Sequence, residues 1–214
     1  MARSITSLIA ASELTALPQL IVFDLDHCLW LPEMYTLDEI PKKRIQGSLC
    51  GRGDGAIGVM SGHQQIKLFP DALRILQEIY LDIYPGIRIA AASSADTPRA
   101  VSIARAAMGL LEILPGVTMR DAFAKGWPEG FSGNLQIGRS PPLSSDKAIS
   151  HFPILRRETG IEYDKMVFFD DCNWEDNCAN VSRRCTGVVT QCTPHGLTIE
   201  QWNKALKSYS DRHK

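Results

Sequence analysis

Two aspartates two residues apart, Asp24 and Asp26, follow the apolar run Leu20-Ile21-Val22-Phe23. On extended backbone such residues project to the same side. Carboxylates crowded in this way repel unless a cation or a shifted pKa relieves them. A magnesium ion, which takes hard oxygen ligands, is the economical partner. Asp170 and Asp171 end another apolar run, Met166-Val167-Phe168-Phe169, and can supply the opposing ligand. Either pair alone is equally consistent with a solvated acidic turn. Both together, at the ends of neighbouring strands, point to a cation site.

Ser93 ends a third apolar stretch, Ile87 to Ala92, just before a predicted helix. A hydroxyl beside a helix N-terminus makes a phosphate cradle, although the same serine is an equally good helix cap. Lys147 is predicted to open a helix after a Ser/Pro-rich loop and can neutralise a phosphate oxygen. Alone, a lysine there reads as a surface residue; its value comes from company.

The elements that must position these groups alternate. Strands are predicted at Leu20 to Phe23, Ile87 to Ala92, Met166 to Phe169 and Gly187 to Thr190. Helices are predicted at Pro70 to Tyr80, Thr97 to Leu111, Lys147 to Thr159 and Thr198 to Ser208, with a helix end at Val181 to Arg184. Pro70 suits a first helical turn and Gly160 a helix stop. This alternation implies βαβ units and a mainly parallel sheet. Ligands of such sheets bind beyond the carboxyl ends of the strands, where Asp24, Ser93 and Asp170 all fall. Ile57/Val59 and Ile66/Leu68 alternate, so residues 47–69 read as a glycine-rich β-hairpin flap. Residues 115–145 read as a long surface loop, with room for a short strand at Leu135 to Ile137.

A chain of 214 residues suits one domain, here expected over residues 17–214, after a flexible tail at 1–16. With 23 Lys+Arg against 24 Asp+Glu, bulk charge offers no grip on nucleic acid or an anionic membrane. No apolar run approaches about 18 residues, so no bilayer span is expected. The six cysteines lack the usual zinc spacings and are expected as reduced thiols in a cytoplasm-like compartment. Arg3, with no acid before Glu13, gives only a faint organelle-import signal. Gly53 to Gly58 fits G-x-G-x-x-G but precedes strand-like sequence instead of opening a helix, so it is no dinucleotide fingerprint. Arg52-Gly53-Asp54 reads as chance. His27, His63, His151 and His195 are too scattered to define a site and read as surface or helix-packing residues.

Together these stretches resemble the haloacid dehalogenase superfamily, and within it the magnesium-dependent phosphatase family. The resemblance rests on Val22-Phe23-Asp24-Leu25-Asp26-His27-Cys28-Leu29-Trp30, Ala90-Ala91-Ala92-Ser93, Lys147, His151-Phe152 and Met166-Val167-Phe168-Phe169-Asp170-Asp171. It implies a Rossmann-like three-layer αβα sandwich with a small hairpin flap in place of a full cap domain. It also implies a nucleophile at Asp24, a general acid and base at Asp26, and Mg2+ held by the Asp24 side chain, the Asp26 carbonyl and Asp171. Ser93 and Lys147 would hold the phosphoryl oxygens, with the backbone N–H groups of Leu25 and Ser94 as further donors. The implied substrate is a phosphorylated small molecule, such as a phosphosugar, or a phosphotyrosine protein, acted on by a monomer. A non-catalytic phospho-ligand-binding protein on the same scaffold is the alternative. Four features depart from the family pattern: Cys28 for Thr or Val, Ser94 for a basic residue, the long Pro115 to Ser145 segment, and a longer segment at Cys172 to Asp176, where Asp176 reads as a supporting carboxylate or an exposed acid.

Overall fold

In the computed structural model, residues 7–214 are described. The strands are β1 (Leu20–Phe23), β2 (Trp30–Leu31), β3 (Lys43–Ser48), β4 (Asp54–Ser61), β5 (Gln64–Leu68), β6 (Arg88–Ser93), β7 (Glu112–Leu114), β8 (Val117–Thr118), β9 (Leu135–Ile137), β10 (Met166–Asp170) and β11 (Val189–Cys192). The helices are α1 (Pro70–Tyr80), α2 (Pro98–Leu110), α3 (Met119–Ala124), α4 (His151–Thr159), α5 (Asn177–Arg184) and α6 (Ile199–Arg212). Five strands form a parallel sheet in the order β11-β10-β1-β6-β9.

Both faces of this sheet are covered, which explains why its central strand β1 and the neighbouring β10 read as apolar runs up to their terminal aspartates. Side chains alternate across β1: Ile21 and Phe23 point to α1, α2, α3 and α6, while Leu20 and Val22 point to α4 and α5. Phe23 stacks on Phe169 at 5.6 Å, and Phe169 stacks on Trp202 at 5.7 Å. Each such aromatic pair adds about 0.5–1.5 kcal/mol beyond its buried area. This column locks β1, β10 and α6 directly beneath the strand ends that carry the aspartates. The expected αβα sandwich is therefore the observed fold.

α1 spans the residues expected, because Pro70 supplies a preset φ at the first helical turn. Gly160 closes α4 at φ 67°, a left-handed value that glycine adopts without steric cost. α2 begins at Pro98, with Thr97 as its cap: Ala100 N–H donates to the Thr97 hydroxyl at 3.0 Å. α4 begins at His151, so Lys147 sits in the turn before it and does not open the helix.

Three other expectations are corrected. The flap is larger than a hairpin at 47–69: β2, β5, β4 and β3 form a four-stranded antiparallel sheet. It is tied down rather than loose. Ala56 N–H donates to Glu112 at 2.8 Å, and the buried Gln77 amide donates to the carbonyls of Leu49 and Ile113. The stretch 115–145 is not a plain loop. It holds β8 and α3 besides β9, which is the short strand expected at Leu135 to Ile137 and completes one edge of the central sheet. Short elements bury too few residues to leave a period in the sequence. Residues 7–16 are packed rather than a free tail. Tyr84 hydroxyl donates to the Ile9 carbonyl at 2.8 Å, and Thr15 N–H donates to the Ser210 hydroxyl at 2.8 Å. The Arg3 signal lies outside the described residues. No helix among the described residues is long and apolar enough to cross a membrane.

Candidate active site

The carboxyl ends of β1, β6 and β10 converge on one cavity of about 320 Å³. Asp24, Asp26, Ser93, Ser94, Lys147 and Asp171 all line it. Leu25 does not: its side chain is fully buried in the core below, and its carbonyl accepts from Leu29 and Trp30 N–H groups.

At the base, Lys147 Nζ lies 2.8 Å from Asp24 Oδ1 and 2.6 Å from Asp170 Oδ2. Asp170 Oδ1 accepts from Cys172 N–H at 2.9 Å, so both its oxygens are engaged. Asp24, Asp170 and Asp171 each bring an oxygen within 4.8 Å of the others. Burial pushes Asp24 well above the usual carboxylate range; Lys147 opposes this, while Asp170 and Asp171 add to it. Burial and the neighbouring Asp170 also push Asp171 up. For Lys147, burial alone would disfavour the charge, but Asp170 and Asp24 outweigh it and raise its pKa. Lys147 is therefore the fixed ammonium of the cluster. Three carboxylates against one ammonium leave two uncompensated negative charges when ionised, which a divalent cation would balance. The donors are all hard oxygens, the type magnesium takes. Asn177 Oδ1, which also lies on the cavity wall, is buried without a hydrogen-bond partner. The residues fit a magnesium ion.

Asp26 is fixed differently. Its Oδ1 accepts from Trp30 Nε1–H at 2.7 Å and its Oδ2 from Met34 N–H at 2.9 Å. Burial nevertheless outweighs these two donors and pushes its pKa up to about 6. Its carboxyl is thus held by Trp30 and Met34 and takes no part in the Lys147 ion pairs. A tight turn makes this possible. His27 sits at φ 54°, and its N–H donates to the Trp30 carbonyl at 2.9 Å, folding the indole back over Asp26. Cys28 points the other way, buried beneath the site with Sγ 3.7 Å from the Phe169 carbonyl oxygen.

Ser93 is positioned through its backbone. Its carbonyl accepts from Gly138 N–H at 2.8 Å and lies 3.1 Å from His151 Nε2. Burial lowers the His151 pKa to about 4, with Lys147 acting in the same direction. The neutral imidazole therefore carries its proton on Nε2, since a carbonyl can only accept. His151, read from sequence as a packing residue, is the strut between the Ser93 strand end and α4. Because α2 starts four residues beyond Ser94, its N-terminus does not cap Ser93, and Pro98 has no N–H to offer a phosphate. Asp176 caps α5, accepting from Ala179 N–H at 2.9 Å.

Sequence reading missed the rim. Arg139 follows β9 and pairs with Asp96 at 3.2 Å; both line the cavity. Tyr35, Glu33, Trp174 and Glu175 line it from two facing loops. Only the unusual length of the segment after Asp171 hinted at the last two.

The Acid Phosphatase family pattern matches residues 16–212, nearly the whole described chain. The chain belongs to the acid phosphatase family. This agrees with the haloacid dehalogenase-like resemblance read from the motifs. A curated human relative, "Magnesium-dependent phosphatase 1", is 24% identical over 194 residues, covering 91% of this chain and 88% of the relative. A solved structure of the N-terminal part of protein BF1531 from Bacteroides fragilis, described as containing a phosphatase domain complexed with Mg, matches with a TM-score of 0.41 and 16% identity. It covers 81% of this chain, which spans about a third of that longer chain (35%).

Proposed function

We propose that this acid phosphatase family member is a magnesium-dependent phosphomonoesterase that works through an aspartyl-phosphate on Asp24. The observation that carries the reading is the ammonium of Lys147 bridging Asp24 and Asp170 beneath an open cavity, with Asp171 close enough to complete a cation site. Asp24, Asp171 and the Asp26 carbonyl would hold the ion. Bound there, magnesium supplies positive charge that offsets repulsion between a carboxylate and an incoming phosphate.

The chain's own groups then have distinct tasks. An Asp24 carboxylate oxygen attacks phosphorus and the bond to the leaving oxygen breaks. Asp26 delivers a proton to that oxygen, then takes a proton from the water that cleaves the Asp24–phosphorus bond. Lys147 and Ser93 hold phosphoryl oxygens as charge redistributes. The N–H groups of Leu25 and Ser94 are assigned as further donors. Trp30 and Met34 keep the Asp26 carboxyl aimed, and Lys147 keeps Asp24 from swinging away. The substrates are a phosphosugar or a phosphotyrosine protein, handled by a monomer. All six cysteines are free, which suits a reducing compartment such as the cytoplasm.

The test is hydrolysis of p-nitrophenyl phosphate by wild type with magnesium, by wild type with EDTA, and by Asp24→Asn with magnesium. Turnover that requires both the metal and Asp24 is expected. Tight phosphate-ester binding without turnover would replace this reading with a binding protein on the same scaffold.

A further inference from the structure

Trp174 is 78% exposed, more than any other large apolar side chain among the described residues, yet it is not loose. Its indole N–H donates to Glu33 Oε1 at 2.8 Å, and its ring meets Tyr35 edge-on at 6.3 Å. Tyr35 is itself 48% exposed. Glu33 and Tyr35 come from the loop after β2, and Trp174 from the loop after β10. The two loops are thus joined at the cavity, and both aromatic side chains line it together with Asp26. An indole whose only polar atom is already tied has just its apolar ring face to offer a ligand.

The charge around these rings narrows the choice of ligand. Glu33, Glu175 and Asp96 line the rim; Arg139 is paired with Asp96, and His27 Nε2 lies 3.7 Å from Glu33. A leaving group with a further anionic group would meet a rim with more carboxylates than fixed cations.

Building on the phosphatase reading above, we propose that Trp174 and Tyr35 form a stacking platform that selects phosphomonoesters whose leaving group presents a ring face and carries no further negative charge. The segment from Cys172 to Asp176 that lengthens the end of β10 is then a specificity element. Its tryptophan contacts the leaving group, while phosphoryl chemistry proceeds below.

The experiment compares kcat/KM for phenyl phosphate, glucose 6-phosphate and glycerol 3-phosphate in wild type, Trp174→Ala, Trp174→Phe and Tyr35→Ala. The ratio of each ring substrate to the acyclic one isolates the platform, because general damage to the site lowers all three together. In Trp174→Ala the ratio is expected to fall about tenfold, the size of one lost aromatic contact, and Trp174→Phe should restore most of it. A fall for phenyl phosphate alone identifies an aromatic ring as the ligand; a fall for both identifies a ring face in general. Ratios within twofold of wild type in both alanine variants overturn the proposal. If wild type hydrolyses none of the three, the phosphatase reading fails separately. Calorimetric titration of phenyl phosphate against glycerol 3-phosphate, with magnesium, then decides the platform. A ring preference lost in Trp174→Ala upholds it, and no ring preference overturns it.

Discussion

Replacing Asp24, the proposed nucleophile, should make the metal-free protein more stable, not less. In Asp24→Asn the shape is kept and one negative charge is removed from the cluster. Lys147 attracts Asp24 across 2.8 Å, worth about 6 kcal/mol at an effective dielectric constant of about 20. Against that, Asp24 faces Asp170 and Asp171 within 4.8 Å, and each repulsion at that separation is about 3.5 kcal/mol or more on the same scale. The two repulsions at least match the attraction. The cost of burying the Asp24 charge is then relieved in addition, and the new amide oxygen still accepts from Lys147. The expected gain in EDTA is about 1–3 kcal/mol, and a domain of this size gains about 2–4 °C in Tm per kcal/mol. Magnesium should reverse the order. At a hundred times its Kd the ion stabilises wild type by about 2.7 kcal/mol, while the variant, short of a ligand, gains much less. Thermal unfolding of both proteins in EDTA and in magnesium provides the four numbers. An Asp24→Asn protein that melts below wild type in EDTA would refute the charge reasoning, whatever its activity.

Two further predictions concern neighbouring groups. His151 is held near a pKa of about 4, below its ordinary 6.5, so the unfolded chain binds the extra proton between those values. Stability should therefore fall as pH drops from 6.5 to 4, by about 1.4 kcal/mol per pH unit at most and about 3 kcal/mol in all. His151→Gln, followed by urea unfolding at pH 7 and pH 5, should lose that part of the slope, and an unchanged slope would count against it. Asp26→Asn should lower kcat/KM for an alkyl phosphate by about 10²–10⁴, but much less for p-nitrophenyl phosphate, whose leaving group departs as a stable anion. Equal losses on both substrates would remove Asp26 from the proton-transfer role.

Much of this architecture is legible in the sequence because burial on both faces leaves an unmistakable mark. β1 and β10 are runs of apolar residues up to the aspartates at their ends, and β6 is apolar from Ile89 to Ala92 before Ser93. α1 is legible to the residue because Pro70 fixes its start. Other parts leave no such mark. β9, three residues long, is the short strand expected at Leu135 to Ile137, but its place at the edge of the main sheet is not legible, and the six-residue α3 is too short to show a period. Lys147 is reached by a turn rather than a helix, and no local pattern distinguishes the two. His151 is legible as apolar-face packing, but its contact with the Ser93 carbonyl spans 58 positions and has no local signature. The rim residues Arg139, Tyr35 and Trp174 come from three separate loops, and only tertiary structure brings them to one cavity.

The position of β1 in the middle of the sheet governs when a nascent chain can first possess its chemistry. Leu20 pairs with Arg88 on one side and with Met166 on the other. The aspartate at the end of β1 leaves the ribosome more than a hundred residues before its ammonium partner Lys147 and its companion carboxylates Asp170 and Asp171. Until β10 docks, Asp24 remains a solvated, ordinary carboxylate with no cation site around it. Closing a loop that long costs only slightly more entropy than closing a shorter one, but non-local pairings of this kind slow folding. A chain that has emerged past β1 but not past β10 therefore carries Asp24 without the charged groups that surround it in the folded protein.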